Sequence, residues 1–260
     1  MSEKLFSGPS LERRRSPEEP SLSDRYGALL ERIKGKLAPQ DARDFAMLNS
    51  EQANHERMLL SDGLTGLLNR HGFYEEVQRM EAIFARERHD TKSEVISTLL
   101  AIDLDGFKEV NDSCGHKCGD RCLELIADHV KSALRESDVF ARVGGDEFSI
   151  FLPQDDDVGA KLVAEKVRAV IEDEVVTKLR AEFPGYIGKL SASIGIVTIG
   201  REGDGKSLMT AEEAMKYADY AAYVVKASGK KGELTLAEAR KLDEGGAFER
   251  DFLSGKTLPR

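Results

Sequence analysis

Val139-Phe-Ala-Arg-Val-Gly-Gly-Asp-Glu-Phe-Ser-Ile-Phe-Leu152 reads as two short strands closed by a Gly-Gly turn, and this β-hairpin decides the fold class. Upstream, Val95-Ile-Ser-Thr-Leu-Leu-Ala-Ile102 is the β-branched and leucine-rich run of a buried central strand, ending in Asp103-Leu104-Asp105. Between them, Leu123, Ile126, Ala127, Val130 and Leu134 fall at helical spacing and predict a helix over Cys118–Leu134. Downstream come a long amphipathic helix over about Val158–Phe183, a strand over Leu190–Ile199 and a last helix over Ala211–Ala227. Strands and helices in mixed order, with a hairpin among them, indicate an α+β domain rather than a doubly wound parallel sheet. No internal repeat is visible.

The flanks differ in character. Residues 1–22 hold Pro9, Pro17 and Pro20 among Ser and charged residues, a composition that buries too little to order itself. From Ser23, the apolar Tyr26, Leu30, Ile33 and Leu37 share one helical face until Pro39 interrupts, and a second helical stretch follows over about Asp41–Leu60. This helical segment, residues 23–60, either packs on the domain or joins two copies of the chain. The core then spans 61–232, and 233–260 form an extension to which the sequence assigns no role.

Composition excludes several classes. Hydrophobic residues make up 40% and charged residues 33% of the 260, and no apolar run approaches the ~20 residues that span a bilayer. The N-terminus lacks the apolar stretch of a secretory signal, so a cytoplasmic protein without membrane contact is expected. A net charge of -9 argues against a general nucleic-acid binder, which needs excess Lys and Arg. Cys114, Cys118 and Cys122 recur every four residues with His116 between them. Three thiols along a helix do not close a tetrahedral metal site, so they read as structural thiols, and their odd number fits a reducing compartment.

Two acidic clusters remain, Asp103 with Asp105 at a strand end and Asp146 with Glu147 at the hairpin tip. Asp beside Gly is an ordinary turn former, which explains either cluster alone. That explanation weakens when both adjoin buried strands, because strand ends can bring carboxylates together for a hard divalent cation with open positions for phosphate. Lys108 follows the first cluster, where it can meet phosphate, and Gly106 permits close backbone approach.

Arg142-Val-Gly-Gly-Asp-Glu-Phe148 resembles the signature of the GGDEF family of diguanylate cyclases. The likeness extends to Asp62-Gly-Leu-Thr-Gly-Leu-Leu-Asn-Arg70, to Asp103-Leu-Asp-Gly-Phe-Lys108, and to Asn111-Asp112, Gly115-His116 and Gly119-Asp120. Ser193-Ile-Gly-Ile196, Ala218-Asp219, Tyr223, Lys226 and Gly229 complete it in the family's order. The resemblance implies a palm-like nucleotidyl cyclase domain: a central, mostly antiparallel sheet wrapped by helices, preceded here by the short N-terminal helices. Phosphates would lie over the turn at Gly144 and Gly145.

The same resemblance implies magnesium or manganese, two ions per active site, held by Asp103, the backbone carbonyl of Leu104, Asp146 and Glu147. Adjacent residues on a strand face opposite ways, so Asp146 is given the primary role. Asp146, Glu147 and Lys108 are the implied catalytic residues, with Asp146 the family's assigned proton acceptor. Lys108, Lys226 and Lys230 would meet the triphosphate; the family often has Arg where this chain has Lys230, which leaves a point charge in place of a bidentate fork. Asp120 accepts from the N1–H and amine of guanine, with Asn111 and His116 beside it, so the expected substrate is GTP. Each domain would hold one GTP, and joining two into cyclic di-GMP, with loss of two pyrophosphates, then requires a homodimer. Arg135 and Asp138, ahead of the signature, resemble the family's inhibitory site for the product cyclic di-GMP. The competing reading is a catalytically inactive cyclic di-GMP receptor.

Overall fold

Among the residues described in the computed structural model (47, 58–87, 96–200, 209–229, 232–243 and 246–254), five strands form one sheet. They are β1 (Ser97–Asp105), β2 (Val139–Arg142), β3 (Glu147–Leu152), β4 (Ser191–Ile199) and β5 (Gly232–Thr235), in the order β2-β3-β1-β4-β5. All pairings are antiparallel except that of β4 with β5. The helices are α1 (Arg70–Glu87), α2 (Phe107–Cys114), α3 (His116–Ala133), α4 (Asp157–Ala169), α5 (Val176–Glu182), α6 (Ala211–Ala227), α7 (Leu236–Leu242) and α8 (Ala247–Leu253). By contacts the chain divides into two units, Met1–His55 and Glu56–Arg260, and the sheet with all eight helices belongs to the second. The tail and most of the N-terminal helical segment lie outside the described residues; Met47 and residues 58–60 are helical.

β1 is central because it has an apolar side chain for each face. Leu100, Ile102 and Leu104 pack with Phe148, Ile150, Ile194 and Ile196 against α3, α4 and α5. Leu99 and Ala101 point the other way, with Phe151, Val197 and Ile199, toward Phe73 and Val77 of α1 and Ala214, Met215 and Ala218 of α6. Asp103 continues this second series and so emerges on the α6 face. Helix α6 begins with a capping box, Thr210 with Glu213, and lies close on the sheet because β4 carries Gly195 beneath it. A Cβ at Gly195 would stand 1.9 Å from the Ala218 carbonyl oxygen, so any larger residue there lifts the helix.

The α+β architecture is the expected one, and α6 has the bounds read from the sequence. Two details differ. The strand expected over 95–102 runs through Asp105, because pairing with β4 continues to Asp105↔Ser191 and so takes in the acidic residues. The helix expected over 158–183 is continuous but contains a π-helical turn, Val170–Val175, between α4 and α5. β5 runs through residue 232 to Thr235, and α7 and α8 follow it against α6.

The reading of all three cysteines as structural thiols is corrected. Cys114 and Cys118 form a disulfide, and Cys122 alone is free and buried. The reason is a break: Gly115, at φ 82°, ends α2 and starts α3, so Cys114 and Cys118 belong to different helices and not to one helical face.

Candidate active site

Strand pairing merges the two acidic clusters. β1 and β3 align with Asp103 opposite Glu147, and the Leu104 N–H donates to the Asp146 carbonyl at 3.2 Å, which ties the hairpin tip to the end of β1. The connection between β2 and β3 is Val143–Asp146, with the N–H groups of Val143 and Gly144 both donating to the Glu147 carbonyl. Arg142 wraps it: its Nε and Nη2 donate to the Gly145 carbonyl at 3.1 and 2.8 Å, and its Nη1 reaches Asp62 at 3.0 Å. Burial pushes the Asp62 carboxyl up, but hydrogen bonds from Thr65 and Arg142 outweigh it and hold it below its ordinary value. The 62–70 stretch therefore clamps the turn through Asp62.

Three of the four acids of the merged cluster, Asp103, Asp105 and Glu147, have a cationic partner. Lys226, in the last turn of α6, places Nζ 2.6 Å from Asp103 Oδ1 and 3.9 Å from Asp105. Burial raises Asp103 above the usual carboxylate range; Lys226 pulls it down, and the charges of Asp146 and Asp105 push it up again. Glu147 turns toward Arg70 of α1, 3.4 Å away, while Arg70 Nε donates to the Val143 carbonyl. Both pairs are well exposed, so their weight is organisational, roughly 0–1 kcal/mol each. Asp105 accepts from Ser193 at 2.9 Å. Gly106, at φ 88°, lets the chain pass from β1 straight into α2: a Cβ there would meet the Lys189 carbonyl oxygen at 2.3 Å.

On α2, Lys108 is exposed and Asn111 half-buried; on α3, His116 and Asp120 are exposed. Asn111 folds over Gly119, where a Cβ would lie 2.1 Å from its Oδ1, so the two helices meet at this side chain. Lys230 lies outside the described residues. Arg135 and Asp138 stand apart from the acids. The Arg135 N–H donates to Asp138 at 2.9 Å, and both residues line a surface cavity with Glu76, Arg79 and Leu134. The Arg135 side chain is 71% exposed, its guanidinium 3.6 Å from Asp155.

Carboxylate and carbonyl oxygens are the donors a hard divalent cation takes, and Asp103, Leu104, Asp146 and Glu147 supply them at one strand end. Among the described residues no group of three or more His, Cys, Asp or Glu side chains converges as a complete metal site. The donor chemistry suits a hard divalent cation that would take its remaining ligands from substrate oxygens.

Sequence reasoning missed three participants. Arg70 and Asp219 were visible only as parts of family-like stretches, without a role, and Ser193 likewise. Asp219, half-buried on α6, is pushed up to about 7 by burial and then by the charges of Glu147 and Asp103, against the pull of Arg70. The available signal was a carboxylate set among the buried Ala218, Ala221 and Ala222 of α6.

Residues 59–232 match the family described as diguanylate cyclase, GGDEF domain. The chain is 32% identical over 219 residues to diguanylate cyclase DgcP of Pseudomonas aeruginosa, an alignment covering 84% of this chain and 29% of that protein. It is also 35% identical over 168 residues to cyclic di-GMP phosphodiesterase PdeB of Shewanella oneidensis, covering 65% of this chain and 17% of that protein. It thus spans less than a third of either curated relative. A solved structure of the coiled coil and GGDEF domain of DgcB from Caulobacter crescentus, 22% identical, shares the fold at a TM-score of 0.63, covering 83% of this chain and all of that one.

Proposed function

Because the chain belongs to the diguanylate cyclase GGDEF domain family, we propose that it condenses two GTP into cyclic di-GMP and two pyrophosphates, as a homodimer in the cytoplasm. One observation carries this reading: the β1–β3 register gathers Asp103, Leu104, Asp146 and Glu147 at one strand end, beside Lys226.

In this reading Asp103, Asp146, Glu147 and the Leu104 carbonyl would hold two magnesium or manganese ions, which would supply Lewis acidity and charge neutralisation at the phosphates. The chain's own residues bind and orient. Asp120 and Asn111 take the guanine edge, with His116 beside them, and a carboxylate facing adenine would lose its N1–H donor. Lys108, Lys226 and Lys230 meet the triphosphate, and Gly144 and Gly145 let it lie against the turn. Asp146 or a water it orients accepts the proton of the attacking 3′-hydroxyl. A second protomer brings the second GTP, whose 3′-hydroxyl returns the attack and closes the ring. Arg135 and Asp138 bind the product and limit synthesis, a coupling between distinct sites.

The match to a protein named as a phosphodiesterase keeps the non-catalytic receptor as the second reading. Incubation of the full chain with GTP and magnesium, with the product identified by mass spectrometry, separates them. Formation of cyclic di-GMP supports the cyclase; absence of product together with cyclic di-GMP binding supports the receptor.

A further inference from the structure

Helix α2 ends at Cys114 and α3 starts at His116, and the Cys114–Cys118 disulfide bridges the elbow between them with a Cα–Cα separation of 5.6 Å. The proposed GTP contacts are divided across this elbow: Lys108 and Asn111 stand on α2, His116 and Asp120 on α3. Asn111 is one turn before Cys114 and lies over Gly119, the residue after Cys118, while the Gly115 N–H donates to the Asn111 carbonyl at 2.8 Å. Anything that fixes the angle between α2 and α3 fixes Asn111 relative to Asp120.

The two sulfurs differ in access. Cys114 is half-buried, whereas Cys118 is fully buried in the core. An external thiolate therefore attacks Cys114, and Cys118 leaves as a thiolate that takes up a proton to become a buried thiol. The reduced state has a place for the new thiol as well, since Cys114 Sγ lies 3.1 Å from the Val110 carbonyl oxygen. Cys122 does not compete: it is buried, and burial pushes its thiol up to about 12, so its reactive thiolate is suppressed.

We propose that Cys114 and Cys118 form a reversible thiol–disulfide couple that sets GTP affinity by locking or freeing the α2–α3 elbow. The inference rests on the reading of this elbow as part of a GTP site. In oxidation the two thiols give up two protons and two electrons to a low-molecular-weight disulfide, which leaves as two thiols; reduction is the reverse exchange. The locked elbow presents Asn111 and Asp120 already in register, so binding carries less ordering cost.

The test equilibrates the full chain in glutathione buffers of graded redox ratio, confirms the Cys114–Cys118 state by alkylation and mass spectrometry, and measures initial rates against GTP. Expected is a KM for GTP about 5-fold lower in the oxidised protein, with kcat changed less than about 2-fold, the pattern of a pure binding effect. Cys114→Ser should show the reduced-state KM in every buffer. By reciprocity GTP should shift the thiol–disulfide equilibrium toward the disulfide by about the same factor. Equal KM in both states, or no disulfide at Cys114–Cys118 in any buffer, overturns the proposal. If no cyclic di-GMP forms, the cyclase reading falls, and calorimetric GTP binding decides instead: affinity that differs between the two redox states sustains the couple, and equal or absent binding ends it.

Discussion

At the scale of single residues, the cluster at the end of β1 makes sharply different demands on neighbouring acids. Asp146 sits at a turn, half-buried, and its main chain is tied to Leu104 through the carbonyl and not through the side chain. Asp146→Ala should therefore fold normally and lose at least ~100-fold in cyclic di-GMP synthesis, the order expected for removing a group that stabilises charge at the reacting centre. Circular dichroism beside a turnover assay checks both halves; near-normal turnover would remove Asp146 from the chemistry. Asp120 faces solvent on α3, free to take a base. Asp120→Ser should lower the preference for GTP over ATP by at least ~10-fold, or about 1.4 kcal/mol, in competition kinetics. Arg135, exposed above its cavity, should matter only to product: Arg135→Ala keeps the initial rate and loses inhibition by added cyclic di-GMP. Equal inhibition of both proteins would reduce the Arg135 motif to surface charge.

At the scale of elements, α6 is the piece on which the site leans. It carries Lys226 and Asp219 and is seated by the absence of a side chain at Gly195. Gly195→Val should cost about 2 kcal/mol by overpacking and lower activity beyond the loss of folded protein, because lifting α6 draws Lys226 from Asp103. Urea unfolding with rates normalised to the folded fraction measures both; an unchanged denaturation midpoint would show that the sheet and helix can part without strain. The same helix shows what a sequence discloses. Its bounds were readable because apolar residues recur down one face, and the structure adds the capping box of Thr210 with Glu213 at its start. The acids were readable because Asp and Glu next to buried strands have few other reasons to cluster. The α2–α3 elbow was not, since Cys-x-x-x-Cys has helical spacing and nothing local signals that Gly115 turns left-handed between the two cysteines. Arg70 was hidden for another reason: its contact with Glu147 spans 77 positions and exists only after the sheet has formed.

At the scale of the whole molecule, charge and association set the behaviour. Asp219 holds its proton up to about 7 against an ordinary value of 3.8, so between those values the folded chain keeps a proton that the unfolded chain releases. Stability should fall as pH rises through that interval and level off above it. In chelator, the melting temperature of the wild type should decline more from pH 5 to 7.5 than that of Asp219→Asn, which has no charge to acquire; parallel curves would place the titration elsewhere. Since two protomers must meet for the proposed reaction, specific activity should rise with protein concentration until the dimer is saturated, and a flat profile down to nanomolar protein would mean the pair is preformed. The far end of the chain enters here too. The family match stops at residue 232, yet the Tyr220 hydroxyl, in a buried part of α6, donates to Asp243 at 2.9 Å, and Phe252 packs edge-on against the Tyr220 ring. A protein trimmed to the family's limits would strip β5 from the sheet edge and leave that phenol without its acceptor, so the damage from shortening the C-terminus would be felt at Lys226, on the same helix. Whoever attaches a reporter or a partner domain to this chain gains by placing it after Ser254 and not before.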